Sequence, residues 1–174
     1  MRMDKQTYYP AGVYHVTWVT HNSRLSQRMI DHNVPKKQGV QLNEEAETKI
    51  TEIISSIICE KNFKVYAYNI CRDHVHMLIE CKENEISNVV RQIKGKSSQL
   101  YKAYLGKQAQ DSFHLWAQKF NKWFVQSDDQ LRSAVTYIVH NREKHGLPGN
   151  KGLQPLVLSL LSMYPNDEAA FDQK

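Results

Sequence analysis

No apolar run in this 174-residue chain approaches the length that spans a bilayer, and the N-terminus carries no apolar leader-like segment. The chain is therefore expected to be soluble, with no membrane partner. Cysteine is scarce: Cys59, Cys71 and Cys81 follow no regular spacing and leave one thiol unpaired, which points to a reducing, cytoplasmic setting rather than a disulfide framework. There is no internal repeat. There is also no Walker A loop and no acidic metal cluster, so neither a glycine-rich phosphate cradle nor a carboxylate-built ion site is available. Acidic residues are missing altogether from Ile86 to Gln110, where Arg91, Lys94, Lys96, Lys102 and Lys107 stand. An acid-free basic helix suits a polyanion, although a solvated helix face would read the same way.

What is present describes one globular domain. Hydrophobic residues make up 41% of the composition, with nine tyrosines and a net charge of +5. That supports a packed core within residues 1–174, centred on about 8–147 and followed by an extension over 148–174. Val13 to His21 is rich in β-branched and aromatic residues and predicts a first strand. Asn22 to Gln41 is polar and predicts a loop. Asn43-Glu44-Glu45 opens a helix whose Ala46, Ile50, Ile53, Ile54, Ile57 and Ile58 recur at helical spacing. Val65 to Glu80 reads as two strands around Arg72-Asp73. A second helix starts near Glu85, with Ile86, Val89, Val90, Ile93, Ser97, Leu100 and Tyr104 as its buried stripe. Phe113 to Gln126 is an aromatic, basic strand region, with alternate rings expected in the core. Ser127-Asp128-Asp129-Gln130 is a capping box for a third helix running to about His145, and Leu156 to Met163 predicts a short docking helix. The order is that of an α+β fold, an antiparallel sheet of four to five strands with helices on one face.

The most informative feature is His74-Val75-His76 inside the second of the paired strands. Residues i and i+2 of a strand share a face, roughly 7 Å apart, so both imidazoles project together while Val75 turns to the core. Two neutral imidazoles form half of a divalent-metal site. On the third helix, Leu131, Ala134, Val135, Ile138 and Val139 make one apolar stripe. Tyr137 and Asn141 stack four residues apart on its shoulder. A phenol and an amide oxygen facing two imidazoles would complete a device: an ion on His74, His76 and Asn141, with Tyr137 as nucleophile.

At these residues the sequence resembles the HUH single-tyrosine transposases, in particular their REP-associated branch and its insertion-sequence relatives. Five segments carry the resemblance in order: Val13 to Thr17, Asp73 to Ile79, the Ile93-Lys94 region, Trp116 to Phe124, and Leu131 to Asn141 with Gly146-Leu147. The resemblance implies a ferredoxin/RRM-like fold, His74 and His76 as metal ligands, Asn141 as third ligand and Tyr137 as nucleophile. It also implies Mg²⁺ or Mn²⁺ as cofactor, and a 5′-phosphotyrosine intermediate in cutting and rejoining single-stranded or hairpin DNA. The chain departs from the family's pattern at Arg72-Asp73, where Pro-Asn is common, and at Arg142, where Pro is common. A nucleoid-associated location and a monomer or homodimer go with this reading. Arg91, Lys94, Lys96, Lys102, Lys119 and Lys122 are the candidate phosphate contacts, with Trp116, Phe120, Trp123 and Phe124 as candidate stacking or core rings. Three other readings stay open: a domesticated hairpin-binding protein without strand transfer, a structural zinc site on Cys71, His74, His76 and Cys81, and a two-histidine phosphodiesterase using His15-Val16-Thr17.

Overall fold

The computed structural model describes residues 11–162. Strand β1 is Ala11–Val19, β2 is Lys64–Cys71, β3 is His74–Lys82 and β4 is Asn121–Phe124. They form a four-stranded sheet in the order β2-β3-β1-β4, and every pairing is antiparallel. Helix α1 (Gln27–Asp31) and helix α2 (Glu44–Lys61) separate β1 from β2, and α3 (Ile86–Leu105) separates β3 from β4. Helices α4 (Asp128–Val139), α5 (Asn141–Lys144) and α6 (Leu153–Leu160) follow. The fold is α+β, as expected.

Period-two alternation decides what lies on each face of the sheet. Tyr14, Val16 and Trp18 of β1, Tyr68 and Ile70 of β2, and Val75, Met77 and Ile79 of β3 point one way. There they meet Ile50, Ile54, Ile57 and Ile58 of α2 and Ile86, Val90 and Ile93 of α3. The opposite face is smaller and carries Ala67 and Leu78, covered by Leu131 and Ile138 of α4. Helices therefore flank both faces, not one. The reason is that α4 has an apolar stripe only about two turns long, which fits the small patch left beside the imidazoles.

Local chemistry starts and stops these elements where side chains can satisfy the exposed backbone groups. Asn43 accepts from the Ala46 amide at 2.8 Å, and Ser127 accepts from the Gln130 amide at 3.2 Å, capping α2 and α4. Helix α2 ends on Asn62 in the left-handed region (φ 53°). Gly12 carries the Phe124 ring so close that a Cβ there would come within 2.5 Å of it.

Several expectations shift. Gln27–Asp31 is a single capped helical turn inside the segment read as loop. The α3 stripe buries Tyr101, while Leu100 and Tyr104 are exposed, because the stripe rotates with 3.6-residue periodicity rather than a strict heptad. The third helix breaks at His140 into α4 and α5, and Val139 is exposed. Helix α6 begins three residues earlier than the Leu156 to Met163 reading, and Met163 and the acidic tail lie outside the described residues. Of the aromatic segment only Asn121–Phe124 is a strand, with Trp116 making an isolated bridge to Thr20. Of the four candidate rings, Trp116 is buried and Phe120 packs against the core, so two face inward.

Arg142 ties the late helices to the rest. Its guanidinium donates to the buried Glu47 carboxylate at 2.8 Å, to the Ile70 carbonyl at 3.0 Å and to the Pro148 carbonyl. Burial pushes the Glu47 carboxyl above its ordinary value, while Asn150 and Arg142 pull it back. Replacing Arg142 by Leu should destabilise the fold by about 3 kcal/mol at pH 7, the cost of a buried charge without its partner. A carboxyl raised on folding contributes stability below its unfolded value and loses it as pH rises. Urea unfolding of R142L should therefore show a smaller deficit at pH 5 than at pH 7; an equal deficit at both refutes the pairing.

Candidate active site

The register of β1 against β3 sets Thr17 opposite His76 and Val19 opposite His74. That of β2 against β3 sets Asn69 opposite His76 and Cys71 opposite His74. All of these side chains except Val19 enter the hydrogen bonds of the helix-α4 face. His74 and His76 are both buried, with ring centroids 5.0 Å apart. Helix α4 is held over them by Asn69, whose amide donates to the Ile138 carbonyl at 2.7 Å and the Val139 carbonyl at 3.3 Å. These are acceptors at the C-terminal end of the helix. The chain then turns so that Asn141 is completely buried, and its amide oxygen accepts from His74 Nε2 at 2.9 Å and from Cys71 Sγ at 3.2 Å.

Tyr137 sits on the half-exposed edge of this cluster, 39% exposed. Its ring lies 5.3 Å from His76 and 5.9 Å from His15, and the Lys144 ammonium stands 4.4 Å above the ring. The four residues singled out from sequence, His74, His76, Tyr137 and Asn141, are thus brought together within one chain.

The electrostatics divide the two imidazoles. His74 donates from Nδ1 to Asp73 at 2.6 Å and from Nε2 to Asn141. Burial works against its charge, but the Asp73, Cys71 and Asn141 hydrogen bonds outweigh that and raise its pKa to about 9. His76 is pushed down to about 3, chiefly by burial and then by His74, His15, His145 and Lys144. Its Nδ1 faces His15 Nε2 at 3.0 Å and the Thr17 hydroxyl at 2.9 Å, which leaves Nε2 for another partner.

A divalent ion fits this donor set in part. His74 Nε2 and the Asn141 oxygen are 2.9 Å apart, close to the roughly 3 Å separating neighbouring ligands of an octahedral ion bound at about 2.1 Å. The Asn141 Nδ2 atom is buried with no hydrogen-bond partner. Among the described residues no three His, Cys, Asp or Glu side chains are grouped to hold an ion. The zinc reading fails for a geometric reason. Cys81 pairs with Gly12 at the far end of β3, on the core face, five residues and about 17 Å of strand from His76.

The basic residues fall elsewhere. Helix α3 lies on the far side of the sheet from Tyr137, and with it Arg91, Lys96 and Lys102. Lys96 pairs with Glu60, and Lys102 donates to the Asp111 carbonyl at 2.7 Å. Lys94 is buried and donates to the carbonyls of Gln118 and Lys119 at 2.9 and 3.1 Å, and burial lowers its pKa to about 8. It holds the loop before β4 and does not face solvent, contrary to the basic-stripe reading. Lys119 is exposed in that loop, and Lys122 pairs with Val16, on the α3 side. Residues at the site that the transposase reading of the sequence did not include are His15 and Thr17, offered only under the phosphodiesterase alternative, and Asp73, Lys144 and His145, whose ring is 5.0 Å from His74. The alternation of His15 and Thr17 in β1 was the available signal, but only strand pairing shows that they meet His76.

A family model described as IS200-like transposase matches residues 11–141. The chain belongs to the IS200-like transposase family. The match spans β1 through Asn141 and so includes every residue of the cluster except Lys144 and His145. Two solved structures share the fold. One, described as a REP-associated tyrosine transposase bound to a REP hairpin, is 19% identical over 84% of this chain and 76% of its own, with a TM-score of 0.53. The other, a Deinococcus radiodurans protein assigned as a transposase, is 18% identical over 82% of this chain and 98% of its own, with a TM-score of 0.50. No curated protein matches the chain. Among the described residues no helix is long and apolar enough to cross a membrane. Family membership makes this a DNA transposase at the level of its class.

The two imidazoles contribute opposite pH dependences to the metal-free protein. His74, raised on folding, contributes stability below its ordinary 6.5 and loses it as pH climbs through about 9. His76, lowered on folding, contributes above 6.5 and loses its contribution as pH falls toward about 3. Their combined contribution should peak near pH 6.5 in a series of urea titrations. Asp73→Asn should flatten the alkaline side and also alter the acid side, because the Asp73 carboxyl is itself lowered and the His74 charge it sustains helps to depress His76; an unchanged alkaline side would refute the assignment.

Proposed function

We propose that this transposase cuts and rejoins single-stranded or hairpin DNA through a covalent bond between Tyr137 and a 5′-phosphate, assisted by Mg²⁺ or Mn²⁺. The observation that carries the reading is the placement of the Tyr137 ring 5.3 Å from His76, with His76 beside His74 and His74 bonded to Asn141.

His74 Nε2, His76 Nε2 and the Asn141 amide oxygen would hold the ion. Bound there, it would polarise a phosphoryl oxygen and offset the charge that develops during displacement. The chain's own groups supply the rest. Asp73 orients the His74 ring through Nδ1, and the Thr17 hydroxyl with His15 does the same for His76, so each imidazole presents one nitrogen to the site. Asn69 and Arg142 fix the turn carrying Tyr137 and Asn141, which sets the angle at which the phenol approaches. The Tyr137 oxygen loses its proton and forms a bond to phosphorus. The phosphorus–O3′ bond breaks, and the departing 3′-oxygen takes up a proton to become a hydroxyl. A different 3′-hydroxyl reverses the step and joins a new strand. The bond energy is kept in the phosphotyrosine, so no ATP is required.

Incubation with labelled single-stranded DNA and Mn²⁺ should leave a protein–DNA adduct that survives denaturant. Tyr137→Phe should abolish the adduct, and His76→Ala or chelation of the metal should reduce it at least 100-fold, in line with loss of a ligand from a metal-assisted site. DNA bound with normal affinity but without any adduct in the unmodified protein would favour a hairpin-holding role instead.

A further inference from the structure

Trp123 is an aromatic residue of this face that the proposed chemistry leaves unused. It lies on β4, the four-residue edge strand whose residues are all exposed, and its indole is 56% exposed. The register pairs it with His15, and the two rings are 5.6 Å apart. His15 in turn lies 5.2 Å from His76 and 5.9 Å from Tyr137. An unbroken run of rings therefore leads from the phenol to the indole across the open side of the site. Phe124, the next residue, is 53% exposed but pairs with Tyr14 on the other face, so exposure alone does not distinguish Trp123; its side of the sheet does.

We propose that Trp123 is a nucleobase subsite: one base of the DNA strand, within about three nucleotides of the phosphate facing Tyr137, stacks on its indole. The inference rests on the reading that a single strand lies along the Tyr137–His76 cluster. A strand crossing the sheet from Tyr137 toward β4 meets His15 and then the indole, while Lys144 lies on the ring of Tyr137 as a cationic neighbour for a phosphate. Exposed indole is costly in water, and a flat base recovers that contact without requiring any particular hydrogen-bond pattern. The subsite would position the strand and would favour unpaired over paired DNA at that step, because a base within a duplex already has both faces stacked.

The test uses tryptophan emission in the full chain, carried out without divalent metal and on Tyr137→Phe, so that it does not depend on the covalent step. Trp18 and Trp116 are 1% and 7% exposed, which leaves Trp123 as the accessible emitter of the three. Oligothymidylate should quench its emission, whereas a strand of equal length stripped of bases should not. Trp123→Ala should remove the quench and weaken oligothymidylate about tenfold, the scale of one lost base–aromatic stack, with no effect on the baseless strand. Trp123→Phe should keep most of the affinity, and Phe124→Ala all of it. The subsite is overturned if oligothymidylate fails to bind or leaves the emission unchanged. It is equally overturned if Trp123→Ala and Phe124→Ala weaken binding alike, or if the emission tracks protein concentration, which would make the ring a contact between copies. An adduct assay that fails while the quench persists would remove the nucleophile reading and leave the subsite standing.

Discussion

The attachment of the α4–α5 turn to strand β2 is the constraint on which the site depends. In the proposed reaction a phenol on a helix would meet a phosphate held by strand residues only if helix and strand keep a fixed separation. Three polar side chains provide that: Asn69 reaches the last carbonyls of α4, Asn141 is buried against Cys71 and His74, and Arg142 crosses to Glu47 and the Ile70 carbonyl. The apolar contact is small by comparison, with Leu131 and Ile138 resting on Ala67 and Leu78. Directional hydrogen bonds suit this task better than a greasy seam, since a seam permits sliding by a residue while an amide and a carbonyl do not.

That arrangement also gives Arg142 and Asp73 defined structural roles. Arg142 follows Asn141 directly and shapes the turn by a buried ion pair. Asp73 stands immediately before His74 and supplies the carboxylate that orients its ring. Both residues lie outside the proposed reacting groups and set how the surroundings hold them. The proton on His74 has a consequence of the same kind: a divalent ion at this nitrogen would have to displace it, so metal affinity should rise with pH.

The sheet separates two jobs. On one face a large aliphatic core between β1–β3 and helices α2 and α3 supplies stability. On the other a small patch supports the imidazoles, the phenol and the exposed indole. The basic residues of α3 belong to the first face, so the electrostatic attraction they offer a polyanion acts around the molecule and not at the reacting bond.

Strand parity, helix periodicity and capping chemistry are local, and they were legible from residue order. They mark β1, the hairpin-like pair around Arg72-Asp73, the starts of α2 and α4, and the grouping of Tyr137 with Asn141. His74 and His76 share a face for the same reason, since a two-residue repeat needs no knowledge of the partner strand. What only the tertiary structure decided concerns residues far apart in the chain. Strand register brings His15 and Thr17 to His76 and carries Trp123 to His15. The break at His140 buries Asn141 while Tyr137 stays half-exposed, and the burial of Lys94 follows from where the loop before β4 crosses α3. Sequence periodicity fixes which way a side chain points; which groups it then meets depends on pairings between strands and helices that no local pattern encodes.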